Sequence, residues 1–168
     1  MTEQDADLLF QLDQDSEVMK YINGGKLTSR EQIENVFLPR MESYTNQVEG
    51  WGLWKVSLTQ TSEFLGWILV RPMDYFSDKP QYQNLELGWR FNQKSWGKGY
   101  ATESAIALRQ AITLKGDVSK LSAIAIEDNQ ASIKIMLNLG MQYVKTYVHE
   151  DPLGDMEVVL YELGINKN

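Results

Sequence analysis

The chain has 168 residues, of which 43% are hydrophobic and 23% charged, and its formal net charge is −7. This length and composition predict one globular domain over residues 1–168 with a sizeable core. The acidic balance argues against nucleic acid as a partner, because binding to a phosphate backbone needs a basic face. With no cysteine and one histidine, His149, the sequence excludes disulfides, cysteine-based metal sites and multi-histidine metal centres.

The sequence predicts neither a membrane partner nor export. No segment approaches the uninterrupted apolar length that a membrane span requires, and the amino terminus lacks a basic region followed by an apolar run. We therefore expect a cytoplasmic protein. An acidic surface would suit a cationic substrate, although solubility alone also explains it.

The first 44 residues carry helical periodicity in two stretches. Leu8, Leu9 and Leu12 begin a pattern that continues to residue 22, which predicts one helix ended by Gly24. An N-cap signal at residues 28–29 predicts a second helix through residue 44, which Pro39 can bend or split.

Strands are predicted in the middle of the chain. From residue 51 the hydrophobic period changes to two, which predicts a half-buried strand through residue 58. Residues 64–70 are nearly all apolar and predict a more buried strand closed by Pro72. Residues 73–83 are typical of a loop, and residues 85–91 of a third strand.

The second half alternates helices and strands. Ala101 begins a long helix for which Gly116 is the expected C-cap, and residues 121–126 predict a central strand. Asn129 is an N-cap candidate for a helix through residue 139. Residues 141–149 and 157–163 predict two last strands joined by a turn.

A glycine-rich turn, Trp96-Gly97-Lys98-Gly99-Tyr100, lies between the third strand and the long helix. Glycines let the main chain approach a ligand closely, and the amide groups and dipole of a helix start favour negative charge. Two lysines in this region add positive charge. The turn therefore predicts a site for a phosphorylated cofactor.

The motifs around this turn resemble a known family. The run ELGWRF from Glu86, the run WGKGYATES from Trp96 and the N-x-x-S helix start at Asn129 are similar to the GNAT superfamily of acetyl-CoA-dependent N-acetyltransferases, in particular its RimJ/RimL-like branch. The resemblance implies an α+β fold with a central, mostly antiparallel, twisted mixed sheet flanked by helices. It also implies acetyl transfer to a primary amine, either a protein amino terminus or a small-molecule amine.

The resemblance assigns positions to the co-substrate, acetyl-CoA. Its diphosphate would lie on the loop patterned by Lys94, Gly97 and Gly99, where Lys94 replaces the usual Arg or Gln. Its pantetheine arm would extend the third strand where the sheet splays open, and Asn129 and Ser132 would lie beside it. The residues implied to bind acetyl-CoA are Trp89, Arg90, Phe91, Lys94, Trp96, Gly97, Lys98, Gly99, Tyr100, Ala101, Thr102, Asn129 and Ser132.

Acyl transfer to an amine also requires proton transfer. A protein α-amino group with a pKa near ~8 is about one tenth neutral at pH 7, whereas a lysine-like amine near ~10.4 is neutral in about one molecule in 2,500. Glu86, on the strand before the glycine turn, is the expected base, acting directly or through water. Ser132 is the expected hydrogen-bond donor to the leaving thiolate. Tyr143 and Tyr147 are further acid candidates, whereas His149 is expected to be structural or exposed.

Two positions depart from the family pattern. Many members carry a tyrosine as general acid seven residues after the Asn, where this chain has Met136, which cannot donate a proton. The family also usually begins with a strand, whereas this chain starts with a helical pattern, so the usual first strand is expected to be missing. An uncovered edge strand could pair two chains, and both a monomer and a homodimer are compatible with the sequence.

Other functions fit the residues less well. The sequence contains no G-x-x-x-x-G-K-[ST] run for an NTPase, and a Rossmann fingerprint should follow the first strand rather than the third. The alternative left open is a non-catalytic acyl-CoA-binding or sensor protein of the same fold, which the methionine at position 136 supports.

Overall fold

The structure, a computed structural model, describes residues 1–165, and the last three residues lie outside this part. Contacts divide the chain into two compact units, each built from separate stretches. The first comprises Met1–Leu69 with Trp89–Tyr100, and the second comprises Val70–Gly88 with the residues from Ala101 onward. The single domain predicted over residues 1–168 stays a prediction.

The first unit begins with helices. After a capped turn at Glu3–Asp5, the helices are α1 (Ala6–Leu12), α2 (Ser16–Asn23), α3 (Arg30–Gln32) and α4 (Leu38–Tyr44), and a π-helical turn, Ile33–Phe37, joins α3 to α4. The single helix predicted up to Gly24 is wrong, because the chain breaks between α1 and α2. The Asp15 carboxylate accepts a hydrogen bond from the Glu17 amide and so starts a new helix. Pro39 lies in the first turn of α4, directly after the π-helical turn, so the helical path changes its hydrogen-bond pattern where the proline removes an N–H.

Three strands follow, and two of them run through both units. They are β1 (Gly52–Ser57), β2 (Phe64–Met73) and β3 (Gln81–Phe91). The prediction that Pro72 closes β2 is wrong, since Pro72 is the penultimate residue of the strand. Strand ends tolerate proline because few ladder bonds remain to be lost there.

The rest of the second unit agrees with the sequence predictions to within one or two residues. Its elements are α5 (Tyr100–Lys115), β4 (Lys120–Ala125), α6 (Gln130–Asn138), β5 (Gln142–His149) and β6 (Met156–Gly164). Arg109 of α5 donates from Nη1 to the carbonyl oxygen of Leu139, 2.6 Å away, at the end of α6. The apolar core of this unit includes fully buried Leu85, Leu121 and Met136.

The strands of residues 1–165 form one mixed sheet in the order β1-β2-β3-β4-β6-β5. Strands β3 and β4 are parallel, whereas β6 is antiparallel to both β4 and β5. The predicted fold class, a mixed sheet with helices, is confirmed. In this part of the chain the first strand follows the helices, as expected from the missing amino-terminal strand pattern.

Two further features are absent from residues 1–165. No helix there is long and apolar enough to span a membrane. Nor do these residues bring together three side chains of the metal-ligating types His, Cys, Asp or Glu in a metal-binding arrangement.

Candidate functional site

The glycine turn before α5 has an open, left-handed backbone. Gly97 and Gly99 have φ angles of +71° and +83°, which glycine adopts without the steric penalty of a side chain. A Cβ atom placed on either residue would meet no atom within 4 Å, so the surroundings of the turn are open. The indole Nε1 of Trp96 donates to the carbonyl oxygen of Phe91, 2.9 Å away, and anchors the start of the turn. The first amide groups of α5 have no partners within the helix, so the turn has the shape and space that a phosphate group requires.

The lysine expected to contact phosphate has a protein partner. Lys94 Nζ lies 2.5 Å from Glu63 Oε1, and both side chains are largely exposed. The hydrogen bond and charge of Lys94, with a smaller contribution from Lys98, hold the pKa of Glu63 below its usual range. An exposed pair of this kind stabilises the fold little, so a diphosphate can compete for Lys94.

The end of β3, residues 89–91, is held by buried partners within the first unit. The Nη1 atom of Arg90 donates to Oδ1 of Asp13 at 2.6 Å, and these side chains are only 11% and 4% exposed. The guanidinium also lies over the indole ring of Trp67, 5.1 Å from its centroid. Gly66 packs so closely that a Cβ there would lie 2.3 Å from the carbonyl oxygen of Arg90. The Arg90 side chain is therefore used within the protein, so a ligand here would contact Arg90 through its backbone.

Glu86, the predicted base, is a buried residue of the second unit. Only 5% of the residue is exposed, and its Oε2 accepts a hydrogen bond from Nε of Arg71 at 2.8 Å. Arg71 lies on β2, and its side chain is also nearly buried. The carboxylate therefore has a fixed cationic partner, which the sequence did not reveal.

The ladder between β3 and β4 is short. It pairs Asn84 with Lys120, Leu85 with Leu121 and Glu86 with Ser122. Beyond these pairs β3 runs on to Phe91, and β4 stays paired with β6 as far as Ala125. Glu86 is thus the last paired residue of β3 on this side, at the place where the resemblance expects the sheet to open.

Asn129 and Ser132 form the start of α6. The side-chain Oδ1 of Asn129 accepts a hydrogen bond from the Ser132 amide at 3.2 Å, which confirms the predicted N-cap. Both residues are partly exposed. Met136, at the position of the family's tyrosine, has 0% exposure and belongs to the core. Its burial shows that this position serves packing in this chain.

A cavity of about 270 Å³ lies beside the second unit's polar side chains. It is lined by Met73, Asp74, Gln81, Asn84, Val144, Lys145, Tyr147, Leu160 and Glu162. Several of these polar groups are bonded to one another. Glu162 accepts a hydrogen bond from Lys120, and the single hydroxyl proton of Ser122 is shared between Asn84 Oδ1 at 2.8 Å and Glu162 Oε1 at 3.2 Å. The cavity therefore combines a fixed polar network with the phenol of Tyr147.

Tyr147 and His149 form a bonded pair at this cavity. Tyr147 Oη lies 3.2 Å from Nδ1 of His149, and the same nitrogen is 3.9 Å from Oδ1 of Asp74. Burial, followed by the charges of Asp74, Glu86 and Glu162, raises the pKa of Tyr147 to about 12. The influence of Glu86 indicates that the predicted base and the Tyr147 phenol share one electrostatic environment.

The structure ranks the two tyrosines that the sequence left open. Tyr143 is 54% exposed, and its hydroxyl bonds to Thr146 on the same strand, whereas Tyr147 is partly buried and lines the cavity. Sequence reasoning missed Asp74 and expected His149 to be structural or exposed. One signal was present: residues 147 and 149 are two apart on a strand and therefore share a face.

The chain belongs to a known protein family. A model of the acetyltransferase (GNAT) domain matches residues 1–142, and the chain therefore belongs to the GNAT family of N-acetyltransferases. Acetyl-CoA is the co-substrate of this enzyme family.

Individual relatives agree with this assignment. The FsC-acetyl coenzyme A-N(2)-transacetylase of Aspergillus fumigatus is 28% identical over 83% of this chain, which spans 59% of that protein's length. The uncharacterized protein YkkB of Bacillus subtilis is 30% identical over 79% of this chain and 72% of its own length. A crystal structure of a GNAT-family acetyltransferase from Bacillus anthracis has a TM-score of 0.72 at 26% identity, covering 96% of this chain and 89% of that one.

Proposed function

We propose that this protein transfers the acetyl group of acetyl-CoA directly to a primary amine. The observation that carries the proposal is the pair of left-handed glycines, Gly97 and Gly99, in open space at the start of a 16-residue helix. Such a turn presents unpaired amide groups and the positive end of the helix dipole to a diphosphate. Within the GNAT family, the ligand with that group is acetyl-CoA.

The rest of acetyl-CoA binding is assigned in the same way. The main-chain groups of residues 96–102 would hold the diphosphate, with Lys94 and Lys98 as cationic partners. The backbone of residues 89–91 would contact the pantetheine arm and polarise the thioester carbonyl, because the Arg90 side chain is bonded to Asp13. Asn129 and Ser132 would contact the arm near the sulfur, and the Ser132 hydroxyl would donate a hydrogen bond to the leaving thiolate.

Glu86 is proposed to serve the acceptor amine as base, directly or through an intervening group. Its carboxylate is buried at the last paired position of β3, where the ladder with β4 ends. Arg71 holds the carboxylate in one place, which favours a defined geometry toward an acceptor. The negative charge at this point would also attract an ammonium group.

The acceptor is proposed to be either a small amine or a protein amino terminus. The name of the fungal relative describes acetyl transfer to an N2 atom, which favours a small-molecule amine as acceptor. The motifs of residues 86–104 favour the RimJ/RimL-like branch, whose members also acetylate protein amino termini. We propose a cytoplasmic enzyme that acts as a monomer or a homodimer.

One observation favours a second candidate. Met136 is fully buried at the position where many family members carry their acidic tyrosine. A protein of this fold that binds acyl-CoA without turnover would show the same feature.

The two candidates are separated by measuring release of free CoA thiol from acetyl-CoA with a panel of primary amines and peptides with free amino termini. The proposed transfer predicts acceptor-dependent thiol release and a melting temperature raised by acetyl-CoA. A raised melting temperature with no acceptor-dependent release would establish the binding protein instead. No shift in melting temperature at any acetyl-CoA concentration would overturn both.

A further inference from the structure

Three side chains of the second unit, Tyr147, His149 and Asp74, are aligned beside the cavity without a role in the reaction described so far. We propose that they form a proton relay, in which Tyr147 takes a proton from the acceptor amine and passes its own proton to His149. The inference rests on the proposed acetyl transfer and makes His149 the final acceptor of the proton, while Glu86 contributes its negative charge.

The geometry supports the direction of the relay. Tyr147 lines the cavity, and its Oη lies 3.2 Å from Nδ1 of His149. The relay requires the tautomer of His149 in which Nδ1 is unprotonated, so that the Tyr147 hydroxyl donates to it. Asp74 Oδ1, 3.9 Å from the same nitrogen, gives a protonated imidazole a nearby negative charge.

The charges on neighbouring elements favour a transient positive charge on the His149 imidazole. Asp74 follows β2, Glu86 lies on β3 and Glu162 lies on β6, and all three act on the Tyr147 phenol. The positive groups are Lys145, whose Nζ lies 4.6 Å from the Tyr147 ring centroid, and Lys120 and Arg71, which pair with Glu162 and Glu86. A proton that enters the relay therefore meets carboxylates on three elements.

Tyr147 can pass on a proton from the acceptor amine, whereas Glu86 is held in an ion pair. Because burial and nearby carboxylates raise the pKa of Tyr147 to about 12, the phenol stays neutral and keeps a proton to pass on. Glu86 already accepts a hydrogen bond from Arg71, so taking up a proton would break a buried ion pair. His149 Nδ1 lies within hydrogen-bonding distance of Tyr147 Oη and 3.9 Å from the Asp74 carboxylate. His149 is thus the better final acceptor, while Glu86 supplies negative charge.

The proton balance of the reaction is complete with these groups. One N–H bond of the acceptor ammonium breaks, an O–H bond forms at Tyr147, and the original Tyr147 proton moves to His149 Nδ1. The neutral amine then attacks the thioester, a C–N bond forms, and the C–S bond breaks to leave CoA as a thiolate. The thiolate takes the second proton from the acetylated nitrogen, and His149 releases its proton to water.

The test uses the full chain, acetyl-CoA and the amine from the panel that gives the fastest thiol release. Tyr147→Phe and His149→Asn should each lower kcat about 100-fold at pH 7, the usual contribution of general acid–base catalysis. The acetyl-CoA Kd and the melting temperature should stay near their wild-type values. The double variant should lose no more than either single one, because both residues serve one proton path.

Tyr143→Phe is the matched control, because it removes a hydroxyl from the same strand outside the cavity. It should leave kcat unchanged. The pH dependence separates a proton relay from a structural role. As the pH rises from 7 to about 10, more of the amine is already neutral. The ratio of wild-type to variant kcat should then shrink toward one.

Three outcomes would overturn a proposal: two of them concern the relay alone, and the third concerns the proposed function as well. Full turnover in Tyr147→Phe, which removes one oxygen only, would overturn the relay and leave the proposed acetyl transfer intact. A loss that stays constant from pH 7 to about 10 would also overturn the relay. Absence of acceptor-dependent thiol release in the wild-type chain would overturn the proposed function and the relay together.

Discussion

The glycine turn of the first unit and the cavity of the second offer different chemical groups to a ligand. The turn is exposed and offers backbone amides, so its chemistry depends on conformation rather than on particular side chains. Around the cavity, buried or partly buried charged side chains are held in pairs, so its chemistry depends on identity and charge. The comparison indicates that substitutions in the turn should lower acetyl-CoA affinity, whereas substitutions around the cavity should lower turnover.

The largest expected effect comes from filling the glycine turn. Gly99→Trp should weaken acetyl-CoA binding at least about 1,000-fold, or ~4 kcal/mol, because two or more charge-assisted hydrogen bonds to the diphosphate would be lost. Calorimetric titration with acetyl-CoA measures the effect. Gly116→Trp is the matched control, since Gly116 has a φ of +81° and equally open surroundings at the end of α5. Equal loss of affinity in both variants would mean that backbone strain, not occupation of the turn, is responsible.

Asp13→Asn tests a buried ion pair that has no proposed part in proton transfer. Leaving Arg90 buried without its carboxylate should lower the free energy of unfolding by about 3 kcal/mol. Denaturant titration measures this loss. Asp7→Asn breaks an Arg–Asp pair of the same 2.6 Å length at the surface, with Arg30, and should cost under about 1 kcal/mol. Similar losses in the two variants would contradict the structural importance of the buried pair.

Glu86→Gln should lower turnover about 100-fold (~2.7 kcal/mol) and leave the acetyl-CoA Kd within about threefold. It also removes the negative charge that Arg71 pairs with at Glu86, so the fold is destabilised. The double variant Arg71→Met with Glu86→Gln removes both charges and should recover most of the stability without recovering turnover. Recovery of turnover in the double variant would show that Glu86 acts through the fold alone.

The smallest expected effect is a dependence of stability on alkaline pH. An unfolded tyrosine ionises near its ordinary pKa of 10.0, whereas Tyr147 keeps its proton up to about 12 in the folded chain. The stabilisation is therefore fully present below pH 10 and is lost as the pH rises through 12. Because the side chain is only partly buried, screening reduces it to about 1 kcal/mol. Unfolding curves of the wild type and Tyr147→Phe should converge between these pH values, and an unchanged difference would contradict the raised pKa.

Local sequence patterns predicted most of the elements, because caps and periodicity act over a few residues. The Asn129 cap and helix α5 agree with the structure to within a residue. The break between α1 and α2 was missed because apolar spacing continues across it, while Asp15 restarts the helix.

The pairs around the site could not be predicted in the same way. Arg71 and Glu86 are 15 residues apart, and Arg90 and Asp13 are 77 apart, so only the fold brings them together. The glycine turn could be predicted because the phosphate site proposed there depends on local backbone conformation. The roles of Tyr147 and His149 depend on the cavity and on three carboxylates from other elements, none of which a local pattern contains.

The most direct test of the account measures acetyl-CoA Kd and single-turnover rate side by side for Gly99→Trp and His149→Asn. The account predicts that the first variant loses affinity but keeps its rate at saturating acetyl-CoA, while the second keeps affinity and loses about 100-fold in rate. If both variants changed the same parameter, the separation of binding from proton transfer would be contradicted.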